Sequence, residues 1–155
     1  MTQEAVPLEE YLEDVHAAIK ERATYVALIV KELDARGLDT DDIIRSAFAL
    51  SPRPEDQQGS AREYVEAVNT RMMVRAFDKT FEQMTDKQAV VVGHLCAVVD
   101  AYREMGLSAE ESLRLCGLFE KRDKQRLAAA GLTKEAPEGI CRGGSVCRFV
   151  FTKVQ

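Results

Sequence analysis

Hydrophobic positions near the start of the chain recur at alternating spacings of three and four residues. They run over residues 8–33, interrupted only by Arg22, with the period of one face of a long amphipathic helix. Gly37 follows this stripe and is a residue type that commonly ends helices. A shorter second helix is predicted over residues 40–50. The polar, proline-containing stretch SPRPEDQQGS then indicates a loop.

Two serines mark the starts of further helices, because each is followed three positions later by a glutamate, as in a capping box. Ser60 predicts a helix that continues to about Met84. Ser108 predicts a helix that runs to about Ala130, and Gly131 stands where that helix should end.

The segments between and after these helices have strand character. AVVVGHL is short and β-branched and predicts a buried strand, followed by a helix over residues 96–105. Two more strands are predicted, over residues 132–141 and 145–154, joined by the turn RGGS. The sum is an α+β fold, with N-terminal helices followed by a small antiparallel sheet that has two helices inserted after its first strand.

Length and charge narrow the classes of function. A chain of 155 residues with 46% hydrophobic residues can bury one core, so we predict a single domain, with N-terminal helices over residues 1–55 and a core over residues 60–155. The net charge is −5 and no Lys/Arg run appears, which argues against a nucleic-acid partner. The helical stripe suits packing on its own domain and a homodimer through the N-terminal helices equally well.

The chain should act in the cytoplasm, away from membranes. Its N-terminus is acidic and lacks the features of a signal peptide, and its apolar runs fall far short of the roughly 20 residues that span a bilayer. In a reducing compartment the four cysteines are expected to be catalytic, metal-binding or buried instead of disulfide-bonded.

Two cysteine–aspartate pairs lie on consecutive predicted helices. Cys96 and Asp100 are four residues apart, and Cys116 and Asp123 are seven apart, so each pair shares a helix face. If both faces turn toward the sheet, the thiols and carboxylates converge as a cysteine nucleophile and its supporting acid or base require. The alternative is that the cysteines only pack the core, as buried cysteines commonly do.

Other residues near these pairs have weaker signals. His94 precedes Cys96 by two positions, so an extended strand would place both on one side, where an imidazole could stabilise a thiolate. A strand-end histidine without a role fits equally well. Cys141 and Cys147 have five residues between them, which is wide for structural zinc, and we predict no metal and no cofactor. A metal site formed in three dimensions by Cys96, Cys116 and His94 is the alternative.

The register of the last hairpin decides how Cys141 and Cys147 relate. A two-residue turn at Gly143 and Gly144 leaves the sulfurs on opposite sides of the sheet, whereas a three-residue turn sets them opposite each other and permits a bridge. In either case Cys147, Phe149 and Phe151 share one strand face, which should be the core side.

The second half of the chain resembles the L-2-amino-thiazoline-4-carboxylic acid hydrolase family. The resemblance covers roughly residues 60–155 and is carried by GHLCAVVDAYREMGLSAEESLRLCGLFEKRDKQRLAAAG and by the terminal GGSVCRFVFTKV. The matching positions are Cys96, Asp100, Gly106, Cys116, Asp123, Cys147 and Phe149.

The resemblance implies a small hydrolase that opens a C–N bond in a cyclic amidine. In that interpretation a thiolate, Cys116 before Cys96, attacks the amidine carbon or activates water, and Asp123 orients or deprotonates the attacking group. Asp100 or His94 would protonate the departing nitrogen. An arginine, Arg122 or Arg148, would bind the substrate carboxylate in a two-pronged contact.

The terminal motif is also similar to small-molecule-binding 4-vinyl reductase domains. A glycine-rich turn followed by Cys147 and aromatic residues carries this second resemblance. It implies a non-catalytic module that binds a small molecule, which we keep as the alternative function because a fold does not determine chemistry.

Overall fold

The computed structural model describes residues 7–49 and 59–154 as an α+β fold, as predicted. The sheet is antiparallel, with strand order β1-β2-β4-β3. In chain order the elements are α1 (Leu8–Ala35), α2 (Thr40–Ala49), α3 (Ala61–Val68), α4 (Arg71–Ala76), β1 (Lys79–Met84), β2 (Gln88–Gly93), α5 (Ala97–Glu104), α6 (Ala109–Ala129), β3 (Leu132–Glu138), a 3-10 turn (Ile140–Arg142) and β4 (Cys147–Lys153). The predicted loop SPRPEDQQGS lies almost entirely outside the described residues.

The predicted helix starts and ends are confirmed where a local signal sets them. Ser108 accepts a hydrogen bond from the Glu111 N–H, and the Glu111 carboxylate accepts one from the Ser108 N–H, which completes the capping box of α6. Gly37 and Gly131, after α1 and α6, both have φ +69°, a left-handed conformation that a side chain disfavours.

The single helix predicted over residues 60–84 is wrong in its second half. The chain leaves α3 at Asn69, restarts as α4 with Thr70 as its N-cap, and then forms strand β1. Asp78, with φ +43°, turns the backbone between α4 and β1. The segment forms strand β1 and not a helix because it pairs with the buried strand β2, and this pairing outweighs the helical preference of the local sequence. The sheet therefore has four strands, and the two inserted helices follow its second strand.

Two apolar clusters hold the described elements together. The first lies between the sheet and helices α3 and α6, and includes Tyr64, Val65, Val91, Leu127, Leu132 and Phe151. The second joins α1 to α5 and α6. On α1 the buried residues are Ala23, Ala27 and Val30, whereas Ile29 of the predicted stripe is 56% exposed. Small residues at the contact let α1 lie close to α5. The stripe of large hydrophobic residues in the sequence therefore did not identify the buried face of α1.

The connection between β3 and β4 follows neither of the two predicted hairpin registers. β3 ends at Glu138, and Cys141 lies in the 3-10 turn, so it is not a strand residue. The prediction that Cys147, Phe149 and Phe151 share the core side of β4 is confirmed, because all three line one cavity. Across the described ranges, no helix combines the length and apolar character needed to cross a bilayer.

Candidate functional site

A cavity of about 320 Å³ lies between the sheet and the helices that cover it. All four strands contribute to one wall, and helices α3 to α6 contribute to the other. Much of the lining is apolar and aromatic, with contributions from Tyr64, Met73, Phe77, Phe119, Phe149 and Phe151. A concave apolar space with a few polar groups is the usual form of a small-molecule site.

All four cysteines line this cavity, although they come from four different segments. Cys96 is the N-cap residue of α5, and Cys116 lies within α6. Cys141 is in the 3-10 turn, and Cys147 opens β4 opposite Gly93. All four are free and half-buried. The predicted convergence of Cys96 and Cys116 is therefore present, and the two C-terminal cysteines join them.

Cys147 and Cys96 form a thiol pair in which Cys147 holds the negative charge. The Cys96 S–H donates to Cys147, and this bond, together with the Ile140 N–H at 3.3 Å from Sγ and the nearby Arg142 charge, lowers the pKa of Cys147 to about 6 despite burial. The same hydrogen bond, followed by burial, raises the pKa of Cys96. At neutral pH the pair is one thiolate and one thiol.

Cys116 and Cys141 form a second pair, in which Cys116 stays protonated. Burial is the main cause that raises the pKa of Cys116, and the neighbouring sulfur of Cys141 raises it further. Cys116 is therefore held as a neutral thiol, although the sequence favoured it as the nucleophile.

Asp123 is bound in ion pairs on the cavity wall. Its carboxylate accepts hydrogen bonds from Lys134 Nζ at 2.7 Å and from Arg122 at 2.7 and 2.9 Å. Burial alone would raise the pKa of Asp123, but the charges of Lys134 and Arg122 outweigh it and lower that pKa. A carboxylate stabilised in this way is a weak base, so its geometry suits a structural anchor more than proton abstraction.

Lys79 supplies a further cation to the cavity. Its Nζ donates to Asn69 Oδ1 at 2.6 Å and lies 5.3 Å from the centre of the Phe77 ring. Burial, then the charge of Lys134, lowers the pKa of Lys79 to about 8. Among residues 7–49 and 59–154, no carboxylate forms an ion pair with this ammonium.

Three of the predicted site residues lie away from the cavity. Asp100 pairs with Arg103 at 3.2 Å on the exposed side of α5. His94 follows the end of β2, and its Nε2 lies 3.1 Å from Thr80 Oγ1 at the exposed edge strand. Arg148 forms an ion pair with Glu82. The extended geometry that would align His94 with Cys96 is absent, because Cys96 already caps α5.

Sequence reasoning missed Lys79 and Lys134 as cavity residues. Lys79 opens the strand that was taken for the end of a helix, so no local signal marked it. Lys134 lies two residues after the buried Leu132 and so shares its face of β3, which was a usable signal. Within the part of the chain that the structure describes, no three His, Cys, Asp or Glu side chains form a metal-binding group.

No protein-family model and no curated protein matches this chain. Among solved structures, the chain is similar to a trafficking protein particle complex subunit 3 from Naegleria fowleri covalently bound to palmitic acid. The identity is 7% and the TM-score 0.41, over 93% of this chain and 82% of that one. A likeness at this level supports no conclusion about function.

Proposed function

We propose that the protein binds a small anionic molecule with an apolar body in the four-cysteine cavity. The observation that carries this proposal is Lys79, a half-buried ammonium in a largely apolar cavity. Its hydrogen bond goes to the neutral amide of Asn69, no described carboxylate forms an ion pair with it, and the charges of Asp123 and Cys147 act on it without a hydrogen bond. A desolvated cation of this kind is costly unless an anion pairs with it.

The other charges around the cavity support the same assignment. Asp123 is already paired with Lys134 and Arg122, and Glu120 accepts hydrogen bonds from Arg142 at 2.8 and 3.0 Å. These carboxylates are therefore occupied, which leaves Lys79 to hold the ligand's carboxylate or sulfonate. The aromatic side chains Phe149 and Phe151 offer a surface for the apolar part of the ligand.

The binding test uses 8-anilinonaphthalene-1-sulfonate, an aromatic anion whose fluorescence rises in apolar sites. We expect saturable binding that Lys79→Met weakens by roughly 10- to 100-fold, the value of one hydrogen bond to a charged group. The exposed Lys153 provides a matched control, Lys153→Met, which should bind as the wild type does. Equal affinity of the wild type and Lys79→Met, or equal affinity for the neutral N-phenyl-1-naphthylamine, would overturn the proposal.

A cysteine-dependent hydrolase is the second candidate, because Cys147 holds a thiolate in the cavity. In this version Cys147 takes the role first expected for Cys116 and adds to the electrophilic carbon of a cyclic amidine. The ring C–N bond breaks as Cys96 gives its thiol proton to the departing nitrogen. Water then attacks the same carbon, breaks its bond to the Cys147 sulfur and returns a proton to Cys96. Lys79 would bind the carboxylate of a ring acid such as 2-amino-thiazoline-4-carboxylic acid.

Turnover separates the two candidates. Incubation with 2-amino-thiazoline-4-carboxylic acid, followed by chromatography of the products, should show ring opening that Cys147→Ser abolishes and Cys116→Ser retains. Saturable binding of this acid with no product would exclude the hydrolase and support the non-catalytic binding module. Ring opening that depends on Cys116 and not on Cys147 would restore the role that the sequence first indicated.

The cytoplasm is the compartment that we propose for either activity. Four free cysteines that include a thiolate persist best where cellular reductants keep thiols reduced. Fractionation of the producing cells, with immunodetection of the native chain, tests this assignment.

A further inference from the structure

Cys96 and Cys147 lie at one end of the cavity, where β2 and β4 meet: both side chains line it, Cys147 pairs with Gly93, and Cys96 follows Gly93 by three residues. Their side chains are hydrogen-bonded, which brings together the two groups that a peroxide-sensing thiol pair requires. Cys147 Sγ also accepts a hydrogen bond from the Ile140 N–H at 3.3 Å, which favours the negative charge on this sulfur, and Cys96 is the thiol that donates toward it. The pair lines the cavity, so a small oxidant can approach from within it. Neither candidate function uses Cys96 beyond proton donation, and the binding proposal uses neither sulfur.

We propose that Cys147 is a site of oxidation by hydroperoxides, and that Cys96 resolves the oxidised form into a Cys96–Cys147 disulfide. This inference does not depend on which ligand fills the cavity.

The first step is attack of the Cys147 thiolate on one peroxide oxygen. A sulfur–oxygen bond forms and the oxygen–oxygen bond breaks, so Cys147 becomes a sulfenic acid and the leaving oxygen departs as hydroxide or, from an organic hydroperoxide, as an alkoxide that is protonated to the alcohol. Sulfur loses two electrons and the peroxide gains them. The Ile140 N–H at 3.3 Å stabilises the attacking thiolate in the resting state.

The second step is attack of the Cys96 sulfur on the Sγ of Cys147. The sulfur–sulfur bond forms, the sulfur–oxygen bond breaks, and the departing hydroxide takes the Cys96 proton to give water. Oxidation also removes the Cys147 thiolate, which is the largest cause of the raised pKa of Cys96. The first step thereby prepares Cys96 for the second.

The other thiol pair provides an internal comparison. Cys116 and Cys141 line the same cavity, but Cys116 is a neutral thiol. At pH 7 a thiol with a pKa of about 6 is mostly ionised, whereas an ordinary thiol is ionised to a few per cent, so we expect Cys147 to be oxidised more than about tenfold faster than Cys116.

Peptide mapping can identify the product directly, because trypsin separates the four cysteines. Cys96, Cys116, Cys141 and Cys147 fall in the peptides 88–103, 115–121, 135–142 and 143–148. The full-length protein is treated with a small excess of hydrogen peroxide at pH 7, free thiols are alkylated, and the digest is read by mass spectrometry. The expected product links peptides 88–103 and 143–148 within one chain, with Cys116 still reduced.

Variants separate the two steps. Cys96→Ser should lose the bridge and accumulate a Cys147 sulfenic acid that dimedone traps, while the double variant Cys116→Ser/Cys141→Ser should form the bridge as the wild type does. The wild type in urea is a second reference in which Cys147 should lose its rate advantage, and it keeps the test decisive if a variant fails to fold. A bridge between Cys116 and Cys141, a link found only in covalent dimers, or equal oxidation rates in the folded protein would overturn the proposal.

Discussion

The ammonium of Lys134 and the carboxylate of Asp123 meet at 2.7 Å in the cavity wall, from neighbouring elements β3 and α6. The Lys134 side chain is only 9% exposed and its Nζ also lies 4.4 Å from the centre of the Phe149 ring. This relationship ties the helix to the sheet beside the thiols, and it assigns Asp123 a positioning role that its spacing from Cys116 did not reveal.

Removing the charge of Asp123 should destabilise the protein. Asp123→Asn removes the carboxylate that pairs with the largely buried Lys134 ammonium. We expect the free energy of unfolding in urea to fall by about 2–4 kcal/mol. Asp123→Asn/Lys134→Met, which removes both charges, should recover part of this loss. A loss below about 0.5 kcal/mol for Asp123→Asn would contradict the coupling between the two charges. So would a double variant whose loss of stability equals the sum of the losses of Asp123→Asn and Lys134→Met measured separately.

The stability that Asp123 contributes should also depend on pH. Because its pKa is lower in the folded than in the unfolded protein, the contribution is present above the unfolded value of about 4 and disappears as pH falls through the folded value. The difference in unfolding free energy between the wild type and Asp123→Asn, measured by urea titration from pH 7 down to acid, should therefore shrink below about pH 4.

Alkylation of Cys147 should follow its own ionisation. Since the pKa of Cys147 is lowered to about 6, the rate of its reaction with iodoacetamide should rise through that pH and reach a plateau near neutrality. Cys96→Ala removes the donated hydrogen bond and should move the midpoint upward, whereas Cys116→Ala should leave it near 6. Rates are read from the alkylated peptide 143–148, and a profile unchanged by Cys96→Ala would exclude the thiol pair as the cause.

Lys79 should make the protein relatively more stable at alkaline pH. Its folded pKa of about 8 lies below the unfolded value of about 10.4, so between these values the unfolded chain binds a proton that the folded one does not. The free energy of unfolding of the wild type should accordingly gain on that of Lys79→Met as pH rises from 8 to 10. The thiols and tyrosines that titrate in the same pH range contribute equally to both proteins, so their effect cancels in the comparison. A difference in unfolding free energy that stays constant from pH 8 to 10 would refute the lowered pKa of Lys79.

Gly117 within α6 and Gly131 just after it should respond to alanine with changes of opposite sign in stability. Gly117 lies inside the helix with nothing within 4 Å of an added Cβ, so Gly117→Ala should raise the unfolding free energy by about 0.5–1 kcal/mol. Gly131 has φ +69°, and Gly131→Ala should lower it by about 1–2 kcal/mol. Thermal unfolding of both variants beside the wild type measures the contrast, and changes of the same sign would contradict the assigned end of α6.

A homodimer through the N-terminal helices, which the sequence left open beside packing within the domain, would use the outer face of α1. Tyr25, Leu28 and Ile29 are 58%, 50% and 56% exposed there, an unusual concentration of apolar surface for one helix. Light scattering on the eluting protein should give twice the monomer mass, and Ile29→Glu should give the monomer. Gln125→Glu, on the exposed face of α6, adds the same charge elsewhere and should stay dimeric.

The sequence by itself determined the features that neighbouring residues control. The capping pair Ser108 and Glu111, the helix ends at Gly37 and Gly131, and the shared face of Cys147 and Phe149 all follow from contacts within a few residues. Such signals survive folding, because the backbone groups that they satisfy are the same in any tertiary context.

Only the tertiary structure decided which side chains form the site. Lys79 reaches the cavity because sheet pairing makes a strand of a segment with helical periodicity, and Cys147 becomes the thiolate because Cys96 lies against it. Asp100 and Asp123 were each predicted to share a helix face with a cysteine, yet one faces solvent beside Arg103 and the other is paired with Lys134. Spacing fixes the helix face that a residue occupies, whereas the neighbour that face meets, and therefore its charge state, depends on packing between distant segments.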